Sequence, residues 1–158
     1  MLRQVQKQKI QSNASITIVA SRYNELYVDA MVHAAREILM AAGAKVRIIR
    51  VPGAFEIPAV AAKVAGKSSG RKNRARASAI ICLGVVFQGE TSHAQHIGWG
   101  VTHALAAIQV QHQIPVIHGV FVFGKEKHAR VRCLGAKHNR GAEAAQTALK
   151  MVELFGRI

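Results

Sequence analysis

The sequence predicts an α/β fold with a parallel sheet and helices on both of its faces. Short β-branched stretches alternate with longer segments of helical period in the order βαβαβαβα, the pattern of strands joined by crossover helices. The stretch Ile80-Ile81-Cys82-Leu83-Gly84-Val85-Val86 is apolar throughout, as a strand must be when both its faces are covered. Each strand runs into a short turn, and in a parallel sheet such turns gather at the carboxyl edge, where ligands bind.

Ile16 to Ala20 reads as the first strand and Ser21-Arg22-Tyr23-Asn24-Glu25 as the turn after it, with Asn24 as helix cap. The helix runs to about Ala42: Leu26, Ala30, Val32, Ile38 and Leu39 recur with a helical period, and Gly43 supplies the stop. Lys45 to Val51 alternates apolar with basic residues and forms the second strand, closed by Pro52-Gly53. Ala54-Phe55-Glu56-Ile57-Pro58 opens a second helix that continues through Val64, with Pro58 tolerated in its first turn. Gly66 to Ser78 carries Lys67, Arg71, Lys72, Arg74 and Arg76 among Gly and Ser, the composition of a solvated surface loop. After the third strand an Ala-rich helix spans about Ser92 to Gln111. Ile114 to Val120 is the fourth strand, with Pro115 at its beginning, where a missing amide costs least. Lys125 to Cys133 and Arg140 to Phe155 read as helices, the latter with Ala144, Ala145, Ala148, Met151, Val152 and Phe155 on one stripe.

A chain of 158 residues is most simply one domain, long enough to bury roughly 70% of its unfolded surface. We divide it into a flexible N-terminal arm, 1–13, and a single domain, 14–158. The arm lacks the continuous apolar core of a secretory signal, and no apolar run approaches the ~18 to 20 residues that span a bilayer, so a cytoplasmic protein without a membrane partner is expected. Cys82 within a strand and Cys133 in a basic segment form no disulfide framework and suit a reducing compartment. With 22 Lys and Arg against 8 Asp and Glu, the formal charge of +14 favours anionic partners. The basic loop lacks the aromatic interleaving of a nucleic-acid arm, so nucleic acid is not the expected partner.

The turn Gln88-Gly89-Glu90-Thr91-Ser92-His93 carries the chemistry. Gly89 lets the backbone approach a ligand, Thr91 or Ser92 can cap the helix, and the free amides of the helix start favour an anion. His93 brings to the first turn a side chain able to move protons. Capped strand-to-helix turns also occur throughout α/β proteins without catalysing anything. His93, His96 and His103 share roughly one helix face, but no acidic or thiol ligand accompanies them at metal-site spacing, and no metal is expected.

Ser21-Arg22-Tyr23-Asn24-Glu25, Val51 to Pro58, Leu83 to Val86 with Gly89 to His93, Pro115-Val116-Ile117, and Asn139 to Ala145 together closely resemble the lumazine synthase family. Each fragment alone is a weak motif; five in the same order over nearly the whole chain after Asn13 are specific. The resemblance implies a flavodoxin-like three-layer αβα fold with a four-stranded parallel sheet, and the penultimate step of riboflavin synthesis. There, 5-amino-6-(D-ribitylamino)uracil condenses with 3,4-dihydroxy-2-butanone 4-phosphate, giving 6,7-dimethyl-8-ribityllumazine, phosphate and water without a cofactor.

By this resemblance Tyr23 stacks on the pyrimidine ring, and Phe55 and Glu56, with Ala54 beside them, frame the ring and bind ribityl hydroxyls. Val86 and Phe87 supply backbone contacts to the pyrimidine. Gly89, Glu90 and Thr91 form the phosphate-binding turn, His93 transfers protons, and Arg132 binds phosphate. The resemblance also implies a homo-oligomer built on pentamers, with the site between neighbouring subunits. Arg140 stands where the family usually has Lys, and His118 where it has an aromatic; both count among the substrate-binding positions. Ala94 replaces an aromatic and Val122-Phe123 a common Thr-Thr pair. Two further readings compete with an active synthase: a catalytically weak homologue that binds a flavin-like ligand, and a basic scaffold that binds nucleic acid.

Overall fold

A computed structural model of the chain describes residues 10–68 and 76–158. Strands β1 (Ser15–Ser21), β2 (Lys45–Val51), β3 (Ala79–Phe87) and β4 (Val116–Phe123) form one parallel sheet in the order β2-β1-β3-β4. In its middle Ile18 lies opposite Ile48 on one side and Ile81 on the other. Helices α1 (Glu25–Ala41), α2 (Ile57–Ser68), α3 (His93–His112), α4 (Glu126–Ala129) and α5 (Arg140–Arg157) complete a three-layer αβα arrangement: the helices on both faces follow from the strand-helix alternation, and the flavodoxin-like architecture is the one the family resemblance implies.

The period of two along the central strands sorts the core into two layers. Ile16, Ile18 and Ala20 of β1, with Ile81, Leu83 and Val85 of β3, face α1 and α5 and meet Met31, Leu39, Ala145 and Leu149. Val19, Ile80 and Cys82 face the other way, onto Ile57 and Ala61 of α2 and Val101 and Leu105 of α3. Both layers are apolar because β1 and β3 are covered on both faces.

Several boundaries differ from the sequence reading, each for a tertiary reason. Helix α1 buries Tyr27, Val28, Met31, Val32, Ala35 and Leu39, while Leu26 is 58% exposed, so the true stripe is rotated from the one expected. Helix α2 passes Val64 and Gly66 to end at Ser68, whose hydroxyl donates to Val64 O (2.9 Å) and accepts from Ala77 N (2.9 Å). That serine ties the helix end to the approach to β3. Of the expected basic loop, Lys67 is therefore helical and Arg76 is exposed, while Arg71, Lys72 and Arg74 lie outside the described residues. Residues 1–9 of the expected arm also lie outside them; Ile10 packs against the core, and Ser12 N donates to Ala42 O. Lys125 to Cys133 is not one helix but the short α4 followed by a π turn, Arg130–Leu134. On α5, Phe155 at the end of the expected stripe is 38% exposed.

Helices α1 and α5 approach closely at Gly141, at the start of α5, where an added Cβ would stand 1.9 Å from Met31 O of α1. A backbone atom cannot step aside, so Gly141→Ala should cost about 1 to 3 kcal/mol or more through overpacking. Gly66, inside α2, would place a Cβ at an ordinary 3.7 Å from His112 Cε1, and Gly66→Ala should instead gain about 0.5 to 1 kcal/mol. Chemical denaturation of the two variants checks both signs.

Candidate functional site

At the carboxyl edge of the sheet, three turns are held together by main-chain bonds. Arg22 N donates to Val51 O (2.8 Å) and Tyr23 N to Pro52 O (3.1 Å), fixing the exit of β1 against that of β2. Asn24 does not cap α1 with its side chain, contrary to the sequence reading. Its backbone is left-handed (φ 56°), and Nδ2 donates to Val85 O at 2.7 Å, a bond from the β1 turn to the end of β3. Asn is one of the few residues that adopts this backbone readily. Gln88 N donates to Phe123 O (2.9 Å), and its side-chain amide closes the next turn on Gly89 O and Thr91 O.

The result is a cleft of about 800 Å³ that brings together Tyr23, Ala54, Phe55, Glu56, Val86, Phe87 and His93. Tyr23 and Phe55 are 76% and 62% exposed, aromatic side chains that present much of their surface to solvent. Phe55 and Glu56 sit on a 3₁₀ turn, Ala54–Glu56, whose shape is fixed by Gly53 N donating to Glu56 Oε2 at 2.9 Å. His93 is the first residue of α3. Ser92 makes no side-chain cap there, and Thr91 Oγ1 meets His93 N only at a long 3.5 Å, so the expected cap is weak and the helix start stays open to an anion. Gly89, Glu90 and Thr91 form the exposed turn that leads into it, and a Cβ added at Gly89 would meet nothing within 4 Å. Sequence reading missed Asn24, Gly53, Val85, His96 and Ile97 as lining residues; His96 was visible one helical turn beyond His93.

His118 and Arg140 are not in this cleft. They line a separate recess of about 410 Å³ along the free edge of β4, with Phe121, Glu143 and Thr147. Thr102 donates its only hydroxyl proton to Gly98 O (2.7 Å), so its oxygen accepts from His118 Nε2 (2.9 Å), and that nitrogen carries the proton. Although His118 is exposed as a residue, its ring is partly desolvated, which holds its pKa below the ordinary histidine value.

Arg132 lies on the π turn and lines neither cavity. Its turn is pinned to α1: Tyr27 OH donates to Glu126 Oε1 at 2.5 Å, and Arg130 pairs with the same oxygen at 2.8 Å. That hydrogen bond raises the Tyr27 pKa and lowers that of Glu126. The neighbouring Cys133 thiol is pushed up to about 11 by burial, against the opposing pull of Arg132 and Arg140, and is no nucleophile. Of the histidines considered for a metal, His96 Nε2 meets Ser92 Oγ and His103 Nδ1 meets Trp99 O. Among the described residues no three His, Cys, Asp or Glu side chains are grouped to hold a metal ion, and no helix is long and apolar enough to cross a membrane.

Residues 13–156 match the family model described as 6,7-dimethyl-8-ribityllumazine synthase. Curated proteins of that name resemble the chain along most of its length. The one from Stenotrophomonas maltophilia (strain R551-3) is 35% identical over 149 residues, covering 92% of each chain. That of Xanthomonas campestris pv. campestris (strain B100) is 36% identical over 147 residues, 91% of each, and that of Xanthomonas oryzae pv. oryzae (strain PXO99A) 38% over 145 residues, 90% of each.

The lowered pKa of His118 has a definite sign. The unfolded chain takes up this proton first, so the residue's contribution to stability is complete above about pH 6.5 and is lost as pH falls through the folded pKa. An NMR titration should place His118 below the ordinary value, and His118→Phe should flatten the dependence of the denaturation midpoint on pH in that window.

Proposed function

The chain belongs to the 6,7-dimethyl-8-ribityllumazine synthase family, and from this we propose how its residues divide the work of that transferase. The activity is the condensation of ribitylaminouracil with butanone phosphate in riboflavin biosynthesis. The observation that carries the assignment of roles is the cleft, where two exposed aromatic rings, a carboxylate, an uncapped helix start and an imidazole converge.

The pyrimidine stacks on Tyr23 and is framed by Phe55, with backbone groups of Val86 and Phe87 reading its edge. Glu56 retains one carboxylate oxygen for ribityl hydroxyls while the other holds Gly53 N. Phosphate lies at the start of α3, on the turn Gly89-Glu90-Thr91, where Glu90 serves through its backbone and its exposed carboxylate stays in water. Imine formation between the amine and the ketone, loss of phosphate and ring closure all move protons, and His93 beside the phosphate turn accepts and returns them.

Arg132, Arg140 and His118 act from a neighbouring subunit. Both exposed rings of the cleft lack a covering wall, and the recess holding His118 and Arg140 lies on the free edge of the sheet, so a second copy can join the two halves. A ring of such contacts is heterologous and closes on itself, as a pentamer does. The protein works in the cytoplasm as a single domain.

Mixing the purified protein with both substrates should generate lumazine absorbance. Light scattering should show at least a pentamer, and a monodisperse active monomer would contradict the shared site. His93→Ala should mainly lower kcat, toward the smaller end of the roughly 10²- to 10⁴-fold range of general acid-base catalysis, because positioning and water supply the rest. Arg132→Ala should raise KM for butanone phosphate by about 10- to 150-fold and leave the pyrimidine KM nearly unchanged, as loss of a charge-assisted contact requires.

A further inference from the structure

Arg132 and Arg140 belong to different elements, the π turn and α5, joined by the irregular segment 135–139. Cys133 and Asn139 are buried, while Ala136 and Lys137 between them are exposed. An exposed connection of this kind does not by itself hold two side chains at a fixed separation.

The Asn139 side chain spans it. Asn139 Oδ1 accepts from Gly141 N (2.8 Å) and Ala142 N (3.2 Å), capping α5, while Nδ2 donates across the loop to Cys133 O at 2.5 Å. The bonds to Gly141 and Ala142 are an ordinary N-cap. The bond to Cys133 is not part of any cap; it ties the residue after Arg132 to the residue before Arg140. The α5 end of this tie is closely packed, because Gly141 lies against Met31 O with no room for a Cβ.

We propose that Asn139 is a positioning residue that holds the turn carrying Arg132 against the start of α5 through its bond to Cys133 O, and thereby sets the affinity for the phosphorylated substrate. The inference rests on the assignment of Arg132 as the phosphate contact. Its physical basis is that a bound anion gains most from a cation that already stands in place, since a cation that must be ordered on binding returns part of the gain as entropy.

The cap and the tie can be separated by substitution. Asn139→Asp keeps both acceptor bonds, and its charge suits a helix N-terminus, but it has no donor for Cys133 O. Asn139→Ser also caps, is neutral, and is too short to bridge the loop, so it excludes an effect of the added charge. Each leaves Cys133 O without its donor and should unfold at a lower denaturant concentration than the parent protein, but while folded it should show KM for butanone phosphate raised about 3- to 30-fold, with the pyrimidine KM and saturated kcat little changed. Combined with Arg132→Ala, either change should add less than its separate effect. If Arg132→Ala raises KM while a folded Asn139 variant keeps the parent value, the positioning role is overturned. An Arg132→Ala protein with unaltered KM overturns the underlying assignment instead. Additive double variants would also overturn the inference, because Asn139 would then act independently of Arg132.

Discussion

Parallel strands cannot be joined by hairpins; each must return across the sheet through a crossover. That constraint governs this protein. It requires helices on both faces, makes β1 and β3 apolar on both sides, and delivers every strand-to-helix turn to one edge. Lateral bonds then lock the turns to one another, Tyr23 N to Pro52 O, Asn24 to Val85 O, and Gln88 N to Phe123 O. The cleft is therefore supported by neighbouring strand ends rather than by a single loop, which is how a site built from short turns becomes rigid enough to orient two substrates.

The strands were legible because their signal is local: an unbroken run such as Ile80 to Val86 has few alternatives in a chain of this length. Helix faces were less so. Leu26 fits a helical period as well as Tyr27 does, but Tyr27 is the residue that reaches Glu126, ninety-nine positions away, and no spacing within α1 encodes that. The same holds for Asn24, visible as a cap by residue type yet used to bind the end of β3, and for Asn139, whose partner Cys133 lies across a loop. The cleft residues on the turns were readable from motif and edge geometry together. Their division from His118 and Arg140 was not, because it depends on which side of β4 remains uncovered.

That division gives meaning to the substitution at 118. An aromatic there would offer a flat apolar wall, whereas His118 is held by Thr102, itself held by Gly98 O, so the imidazole is oriented by a short chain of bonds on α3. A polar group on a fixed support reads hydrogen-bonding groups rather than ring area alone. The recess along β4 thus presents an oriented imidazole where an aromatic would present only stacking surface.

The charge distribution leaves Arg132 among the described arginines without a carboxylate partner. All eight acidic residues of the chain fall within the described segments, and four of them are engaged by arginines: Asp29 by Arg50, Glu126 by Arg130, Glu143 by Arg140 and Glu153 by Arg157. Among the described residues no carboxylate pairs with Arg132, although Arg130, two positions earlier on the same π turn, is held by Glu126. An arginine already paired must exchange one partner for another when an anion arrives, and its net gain is small. An unpaired one keeps its full attraction. Arg140 is held by Glu143, so an anion arriving at it would have to displace or share that carboxylate, whereas Arg132 has no such partner to give up. Local pairing, more than the total charge of +14, therefore decides where on this surface an anion gains most.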